Sequence, residues 1–413
     1  MSKQALVIGT GRIALGVAGE LLHDAGWTVT FAGRNATTVA HLNRDRAYHL
    51  QLVSRSSAGT RTIAGIDAVT IGSPEFFAAV VDADVIVTAV GAGNLASVGA
   101  ALTGPLRHRR RPIDVIAFEN MADPGAAMRA ALDTRDRSGV LRRTVGCAGA
   151  LVARAVTQID TANDGLLLVT GEPVRDVAVE GHALLAPLPV VDGLHAIADF
   201  GAYVQRKLFV FSAGHATAAY LGHLKGYRYV HAAVRDDEIR RGVLTSMREG
   251  QQGIAARHGL AFAAFAGRPG QASTDATADT EQAERALAAI LDRFANAALG
   301  DPVARVGRDP RRKLANDDRL LGAAALADRA GVDPSGLVLA AAAALCFDGA
   351  ADPSAGTMRR GVRDAGVSST LVDQCGLSER SSLLRSVTEA WEKLTTGWRP
   401  RSALLSIDQA LWA

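Results

Sequence analysis

Long apolar runs are missing from this chain of 413 residues. No stretch reaches the roughly 18 apolar residues that a membrane-spanning helix needs, and the start, Met1-Ser2-Lys3, lacks the basic segment and long hydrophobic core of a secretion signal. A membrane protein and a secreted one are therefore not expected. Cysteine is scarce as well. Cys147, Cys346 and Cys375 are an odd number at wide spacing, with no Cys-x-x-Cys pair and no Cys/His cluster. Neither a disulfide framework nor a metal site is expected, and a reduced cytoplasmic setting fits. An excess of one charge is also absent, the formal net charge being only +3. The one basic run, Arg107-His108-Arg109-Arg110-Arg111, has no interleaved aromatics and precedes a strand-like segment. It reads as a solvated loop rather than a nucleic-acid footprint. No internal repeat is present. What the chain does have is apolar residues, 48% of the total, enough for two domains with sizeable cores.

The first domain is expected over 1–199 as an α/β, Rossmann-type unit. Gln4 to Ile8 is a short apolar run that enters Gly9-Thr10-Gly11-Arg12-Ile13-Ala14, and Leu15 to Ala25 then carries helical periodicity. In such a strand, glycine turn and helix, Gly9 permits the tight turn, Gly11 lets the backbone approach a pyrophosphate, and Ala14 allows close helix packing. Gly9, Gly11, Arg12 and Ile13 are the expected cofactor cradle. A second strand, Thr28 to Ala32, supplies the context that makes this short motif informative. Its end sorts the nicotinamide cofactors, because an acid there bonds the ribose 2′-hydroxyl and repels a 2′-phosphate. Gly33-Arg34-Asn35 stands there instead. A missing carboxylate beside a guanidinium suits a 2′-phosphate, which favours NADP(H) over NAD(H); the alternative is that Arg34 is merely solvated. Gly33→Asp with Arg34→Val is expected to reverse the preference.

Two further apolar runs read as buried parallel strands, Ala83 to Val90 ending in Gly91-Ala92-Gly93-Asn94, and Ile113 to Phe118 ending in Glu119-Asn120-Met121. Ligands of open α/β sheets bind beyond such carboxyl ends, which places Gly91 at the cofactor and Asn120 at the reacting end, or makes Asn120 a turn residue. Leu166 to Thr170 and Arg175 to Glu180 look like further strands, and Pro187 to Gly193 like the passage onward.

From 200 to 413 the strand signals stop and an all-helical domain is expected, with helices over Tyr203 to Gly222, Val230 to His258, Thr280 to Ala297, Asp317 to Arg329, Pro334 to Phe347 and Glu379 to Thr396. Ala266 to Asp279, rich in Gly, Pro, Ser, Thr and Asp, reads as a mobile loop. The first helix threads Lys207, Ser212 and His215 through an apolar, aromatic segment. At about 100° per residue, Ser212 and His215 lie roughly 140° and 80° round from Lys207. An amine among Leu208, Phe209 and Phe211 has its pKa lowered toward the range of a general acid/base; the plainer reading is a lysine that snorkels its amine to water. The cation-dense turn from Arg305 to Leu314, with Arg308 and Lys313, suits an anionic substrate or is a solvated loop.

Taken together, the glycine turn, Phe-Glu-Asn-Met at 118–121, Arg206-Lys207-Leu208-Phe209 with Gly214-His215 and Ala219-Tyr220-Leu221-Gly222, and Arg305-Val306-Gly307-Arg308 with Arg312-Lys313-Leu314 and Asp318-Arg319 resemble the polyol-specific long-chain dehydrogenases, most of all those acting on mannitol 1-phosphate. The likeness covers nearly the whole chain, with several motifs in family order. It implies a metal-independent NAD(P)-dependent oxidoreductase that interconverts a secondary alcohol and a ketone on a polyol, ketose phosphate or cyclitol. It also implies that Lys207 is the acid/base, that Asn120 holds the substrate oxygen and that His215 helps bind substrate. Three positions depart from the family: Ser212 replaces an Asn, Gln205 a Glu, and Ala153 an Asp before Arg154. The loss of two carboxylates near Lys207 should lower its pKa further. Two other readings stand beside this one: a hydroxyacid dehydrogenase of similar two-domain design with Arg154 or Arg308 gripping a carboxylate, and a cofactor-binding sensor without catalysis.

Overall fold

The structure, a computed structural model, describes residues 2–54, 57–121, 123–258, 276–349 and 352–396. The chain divides into two compact units, Met1–Gly201 and Ala202–Ala413.

Among the described residues of the first unit are twelve strands: β1 (Gln4–Ile8), β2 (Thr28–Gly33), β3 (Ala47–Val53), β4 (Ala58–Ala64), β5 (Asp67–Thr70), β6 (Val85–Thr88), β7 (Ile113–Ala117), β8 (Val145–Val152), β9 (Val156–Thr161), β10 (Leu167–Gly171), β11 (Val177–Glu180) and β12 (Leu194–Ile197). Eight of them form one sheet in the order β12-β11-β8-β7-β6-β1-β2-β5. From β5 to β8 every pairing is parallel, the order of a dinucleotide-binding sheet. Residues of β1 and β6 are almost all fully buried, because parallel strands are covered on both faces, and this is why they read as unbroken apolar runs. Each Leu, Ile or Val so buried contributes about 1.5 to 3 kcal/mol. The strand order reverses between β1 and β6, which opens a crevice at their carboxyl ends.

The alternating, half-exposed strands were harder to read. A second sheet, β4-β3-β10-β9, is not read from the sequence apart from β10, nor are β5, β8 and β12, the last lying just beyond the passage expected over Pro187 to Gly193. The basic run at 107–111 is also not simply solvated. Arg107 bonds Asp136 at 2.8 Å, and Arg109 donates to the carbonyls of Val80, Val81 and Ala83 at 2.6 to 2.8 Å. There it satisfies orphan acceptors at the end of the helix Pro74–Asp82.

The helix after the glycine turn is not α-helical throughout. Arg12 and Ile13 are in α, Ala14–Gly19 is a π-helix with every residue buried, and Glu20–Asp24 returns to α. Two carbonyls of this widened turn take outside donors: Tyr48 Oη bonds the Leu15 carbonyl at 2.6 Å, and Arg154 Nη1 bonds that of Gly16 at 2.6 Å. Arg154 also pairs with the buried Glu20 carboxylate at 2.5 Å and bonds the Val174 carbonyl at 2.8 Å. The expectation that Arg154 grips substrate is thereby corrected: its guanidinium, 4% exposed, serves the packing of this unit.

The described residues of the second unit are helical, as expected, with local revisions. The segment read as one α-helix from Tyr203 runs Phe200–Arg206 in α, Lys207–Ser212 as a second π-helix, and Ala213–Leu224 in α. The expected Val230–His258 helix is two, Val230–Ala233 and Asp237–His258, with Asp236 between them accepting from the Glu238 and Ile239 N–H groups. The helix expected from Asp317 starts at Leu321, and two helices that meet at a kink at Gly366 and together span Pro353–Cys375 are not expected from the sequence. Residues 266–275 of the expected loop lie outside the described residues, and a helix begins at Ala276. The buried Glu249 on Asp237–His258 accepts from the Gly336 and Leu337 N–H groups at 2.8 and 2.9 Å, satisfying the start of the helix Ser335–Leu345.

Candidate active site

The cofactor end is built on the β1/β6 crevice. Gly9 leaves β1 at φ +133°, and a side chain on it would run into the Ala89 carbonyl beyond β6, so only glycine fits. Gly11 is different: a Cβ there meets nothing within 4 Å, and the residue is exposed. That open space is what close approach of a pyrophosphate requires. Ile13 is half-buried beneath the turn. Arg12 is exposed but tied, its Nη1 donating to the Thr157 carbonyl at 3.0 Å.

At the end of β2, Gly33 is buried and Arg34 exposed. The Asn35 side chain accepts from the Thr38 N–H at 3.1 Å, which makes it the N-cap of the helix Ala36–Asp45. Across the crevice the buried Glu119 carboxylate accepts from Val90 N–H and Gly91 N–H, both at 2.8 Å. Gly91, at φ +86°, is thus pinned to the end of β7, and Asn120 follows Glu119, exposed.

The second unit gathers the titratable residues. Lys207 begins the π turn and Ser212 ends it. A π turn holds more residues than the 3.6 of an α turn, so Ser212 swings back toward the azimuth of Lys207 and the 140° separation expected for an α-helix does not apply. The turn is braced from the helix Asp237–His258 at Gly250, where any side chain would collide with the Phe209 carbonyl oxygen. Burial lowers the Lys207 pKa to about 8, helped by the nearby Arg319 guanidinium. Gln205, in place of the carboxylate expected there, shares a 3.0 Å hydrogen bond with His258.

His215 stacks on Phe294, with ring centroids 4.8 Å apart and planes 13° from parallel. Its Nε2 lies 3.4 Å from an Asp301 carboxylate oxygen. A carboxylate normally raises a histidine pKa, but Asp301 is already paired with Arg305. Burial, with Arg305, Lys313, Arg319 and Arg293, lowers the His215 pKa to about 3, so the ring is neutral at pH 7 and Nε2–H can donate to Asp301. Lys313 is 6% exposed and donates to the Arg308 carbonyl. Burial and the neighbouring Arg319 and Arg312 lower its pKa to about 7. Arg308 itself is exposed. One place in this unit thus holds an amine near its titration point, a hydroxyl, a neutral imidazole and several cations. That set can exchange a proton with an alcohol oxygen and hold an anionic group.

Sequence reasoning left Asp301, Phe294 and Arg293 out of the site and tied Arg319 to the substrate side only through the family resemblance. Arg319 stood in a matched motif, yet nothing along the chain said that its charge reaches Lys207, Lys313 and His215 alike. Asp301 carries no local signal at all.

Comparison with known proteins covers both units. The mannitol dehydrogenase Rossmann domain matches residues 3–193, and the mannitol dehydrogenase C-terminal domain matches residues 199–395. A mannitol-1-phosphate 5-dehydrogenase of Thermoanaerobacter pseudethanolicus is 29% identical over 406 residues, covering 96% of this chain and 100% of the relative. One from Bacillus licheniformis is 32% identical over 396 residues, covering 93% and 98%. Among solved structures, a mannitol 2-dehydrogenase of Pseudomonas fluorescens with NAD and D-mannitol aligns at TM-score 0.72 and 17% identity over 99% of this chain and 95% of that one. A D-sorbitol dehydrogenase aligns at 0.77 and 16% over 96% and 93%. At such identities these structures speak for the fold.

Proposed function

The chain belongs to the mannitol dehydrogenase family of NAD(P)-dependent oxidoreductases, and from that premise we propose that it interconverts a secondary alcohol and a ketone on a phosphorylated polyol and its ketose phosphate, of the mannitol 1-phosphate and fructose 6-phosphate type, with NADP(H) preferred over NAD(H). The observation that carries the reading is the half-buried Lys207, its pKa near 8 with no metal required to make it a base. Gly9 and the open space over Gly11 fit a dinucleotide pyrophosphate, and the exposed Arg34 beside a residue without a carboxylate fits a 2′-phosphate. The bound nicotinamide would supply the hydride exchange with the substrate carbon.

The rest is the work of this chain's residues. In alcohol oxidation the neutral Lys207 amine takes the hydroxyl proton, and in ketone reduction its ammonium returns it to the carbonyl oxygen. Ser212, at the other end of the same turn, donates a hydrogen bond to that oxygen and stabilises its developing negative charge. His215, neutral and held against Phe294 and beside Asp301, orients a neighbouring hydroxyl. Arg305, Arg308 and Lys313 make the surroundings favourable to a phosphate, which is why the phosphorylated substrate is preferred to the free polyol or to a cyclitol. With Arg154 held inside the first unit, a hydroxyacid substrate keeps only Arg308 of its two proposed carboxylate partners.

The test is a panel of polyols, polyol phosphates, cyclitols and 2-hydroxy acids with both cofactors, followed at the nicotinamide absorbance across pH. Oxidation of the phosphorylated polyol should rise through pH 8 as Lys207 loses its proton, and reduction should fall through the same range. NADP(H) should be favoured by roughly ten- to a hundredfold, the worth of one charge-assisted pair. Turnover confined to a 2-hydroxy acid, or equal efficiency with NAD(H), overturns the corresponding half of the proposal. Tight cofactor binding without turnover on any substrate would leave a sensor.

A further inference from the structure

Position 33 is glycine at the point where a nicotinamide-binding sheet most often places an acid, and the surroundings of that glycine decide more than its own identity does. A Cβ built on Gly33 would lie 2.8 Å from Thr10 Cγ2, 3.2 Å from Thr10 Oγ1 and 3.0 Å from Val39 Cγ2. Ordinary carbon contacts are about 3.5 to 4.0 Å. Both branches of Thr10 therefore stand in the space, and rotating a β-branched side chain about χ1 exchanges one γ atom for the other rather than clearing it. Val39 is 6% exposed on the helix Ala36–Asp45, so it has little room to withdraw. Thr10 itself is the variable residue inside Gly9-Thr10-Gly11, half-buried, facing the end of β2 from the turn that cradles the pyrophosphate.

We infer that Thr10 is a cofactor-specificity residue: its side chain occupies the space at the end of β2 that a carboxylate selecting the unphosphorylated ribose would need, and so keeps the site open to the 2′-phosphate. The inference rests on the reading of the first unit as an NADP(H) site. It changes what a specificity switch at residue 33 must contain. Gly33→Asp, with or without Arg34→Val, places a carboxylate stem against Thr10, and the expectation that this change reverses the preference is revised accordingly. Thr10→Ala removes both obstructing γ atoms and leaves the single 3.0 Å approach of Val39, which a shift of a few tenths of an ångström relieves.

Two measurements decide it, one of them made without cofactor. Thermal melting of the chain free of nucleotide is compared for Gly33→Ala in the native and Thr10→Ala backgrounds. Overpacking in the native background should lower the midpoint by about 2 to 8 °C, and the loss should shrink to less than about a third of that when Thr10 is Ala, a coupling expected only of residues in contact. Dissociation constants for NADPH and NADH, read from nucleotide fluorescence, are then compared for wild type, Gly33→Asp, Thr10→Ala and the double variant. Gly33→Asp alone should gain less than about threefold on NADH. The double variant should gain about tenfold or more on NADH and lose about tenfold on NADPH, the worth of one charged hydrogen bond made or opposed. Additive melting shifts, or a tenfold gain in NADH affinity from Gly33→Asp alone, overturn the role of Thr10. A wild type that binds NADH as tightly as NADPH overturns the cofactor reading instead, and the melting comparison still decides whether Thr10 closes the space.

Discussion

The described residues contain two π turns, and these are used in opposite ways. Ala14–Gly19 in the first unit is sealed: all six residues are buried, and its freed carbonyls are taken by Tyr48 and Arg154. Lys207–Ser212 in the second unit is open along one side. Phe209 and Val210 are buried, while Lys207 and Ser212 remain half-exposed. Both turns follow residues to which chemistry is assigned or carry them, as π turns often do. The first fixes a backbone, and its polar partners are structural. The second carries Lys207 and Ser212, to which the proposed proton exchange is assigned. A widened turn is therefore not by itself a sign of catalysis; how far its polar residues are buried tells the two turns apart.

The sharpest separation should come from Lys207→Ala. Removing the proposed acid/base of the open turn should lower turnover by about 10² to 10⁴, while cofactor affinity, measured by fluorescence, stays within about twofold of wild type. More than a tenth of the wild-type rate surviving would break the comparison on its catalytic side and move the role to Asn120 or His215.

Arg154→Met tests the sealed turn. Buried Glu20 would lose its 2.5 Å partner and keep only Arg175 at 3.3 Å and Arg61 at 3.8 Å, which should cost about 1.5 to 3 kcal/mol of stability, seen as a drop in the denaturant midpoint, with the substrate KM of the folded fraction unchanged. The reverse pattern, a raised KM at wild-type stability, would return Arg154 to the substrate.

Gly250→Ala should act on the brace of the open turn. Its methyl would meet the Phe209 carbonyl, so the helix Asp237–His258 and the turn must part at a cost of about 1 to 3 kcal/mol, and turnover should fall with Lys207 displaced. Tyr48→Phe, which takes one donor from the sealed turn, should cost about 1 kcal/mol and leave kcat alone. Equal effects of the two substitutions on kcat would erase the distinction between the turns.

Much of this organisation was legible beforehand, for physical reasons that differ by region. β1, β6 and β7 are buried on both faces, so they had to be apolar runs bounded by glycines and turn residues. The apolar, aromatic segment around Lys207 could be recognised because a cation among Phe and Leu conflicts with its surroundings wherever it lies. The strands β3, β4 and β9 escaped because one side of each is exposed and their alternation is imperfect. The two helices within Pro353–Cys375 escaped because Gly366, at φ +83°, breaks the pattern between them and several glycines and serines weaken the helical signal.

By itself, then, the sequence determined the two-part architecture, the glycine turn at the head of β1, the absence of an acid at residue 33 and the placing of Lys207, the proposed acid/base, in an apolar, aromatic segment. Each of these follows from residue type and local spacing, which a chain carries whether or not it is folded. Only the tertiary structure decided that Arg154 is held by Glu20 and the Gly16 carbonyl, that Arg319 bears on Lys207, Lys313 and His215 together, and that Thr10 fills the space beside Gly33. Those are relations between residues far apart in the chain, set by packing and by charges reaching across a water-poor interior, and no local pattern encodes them.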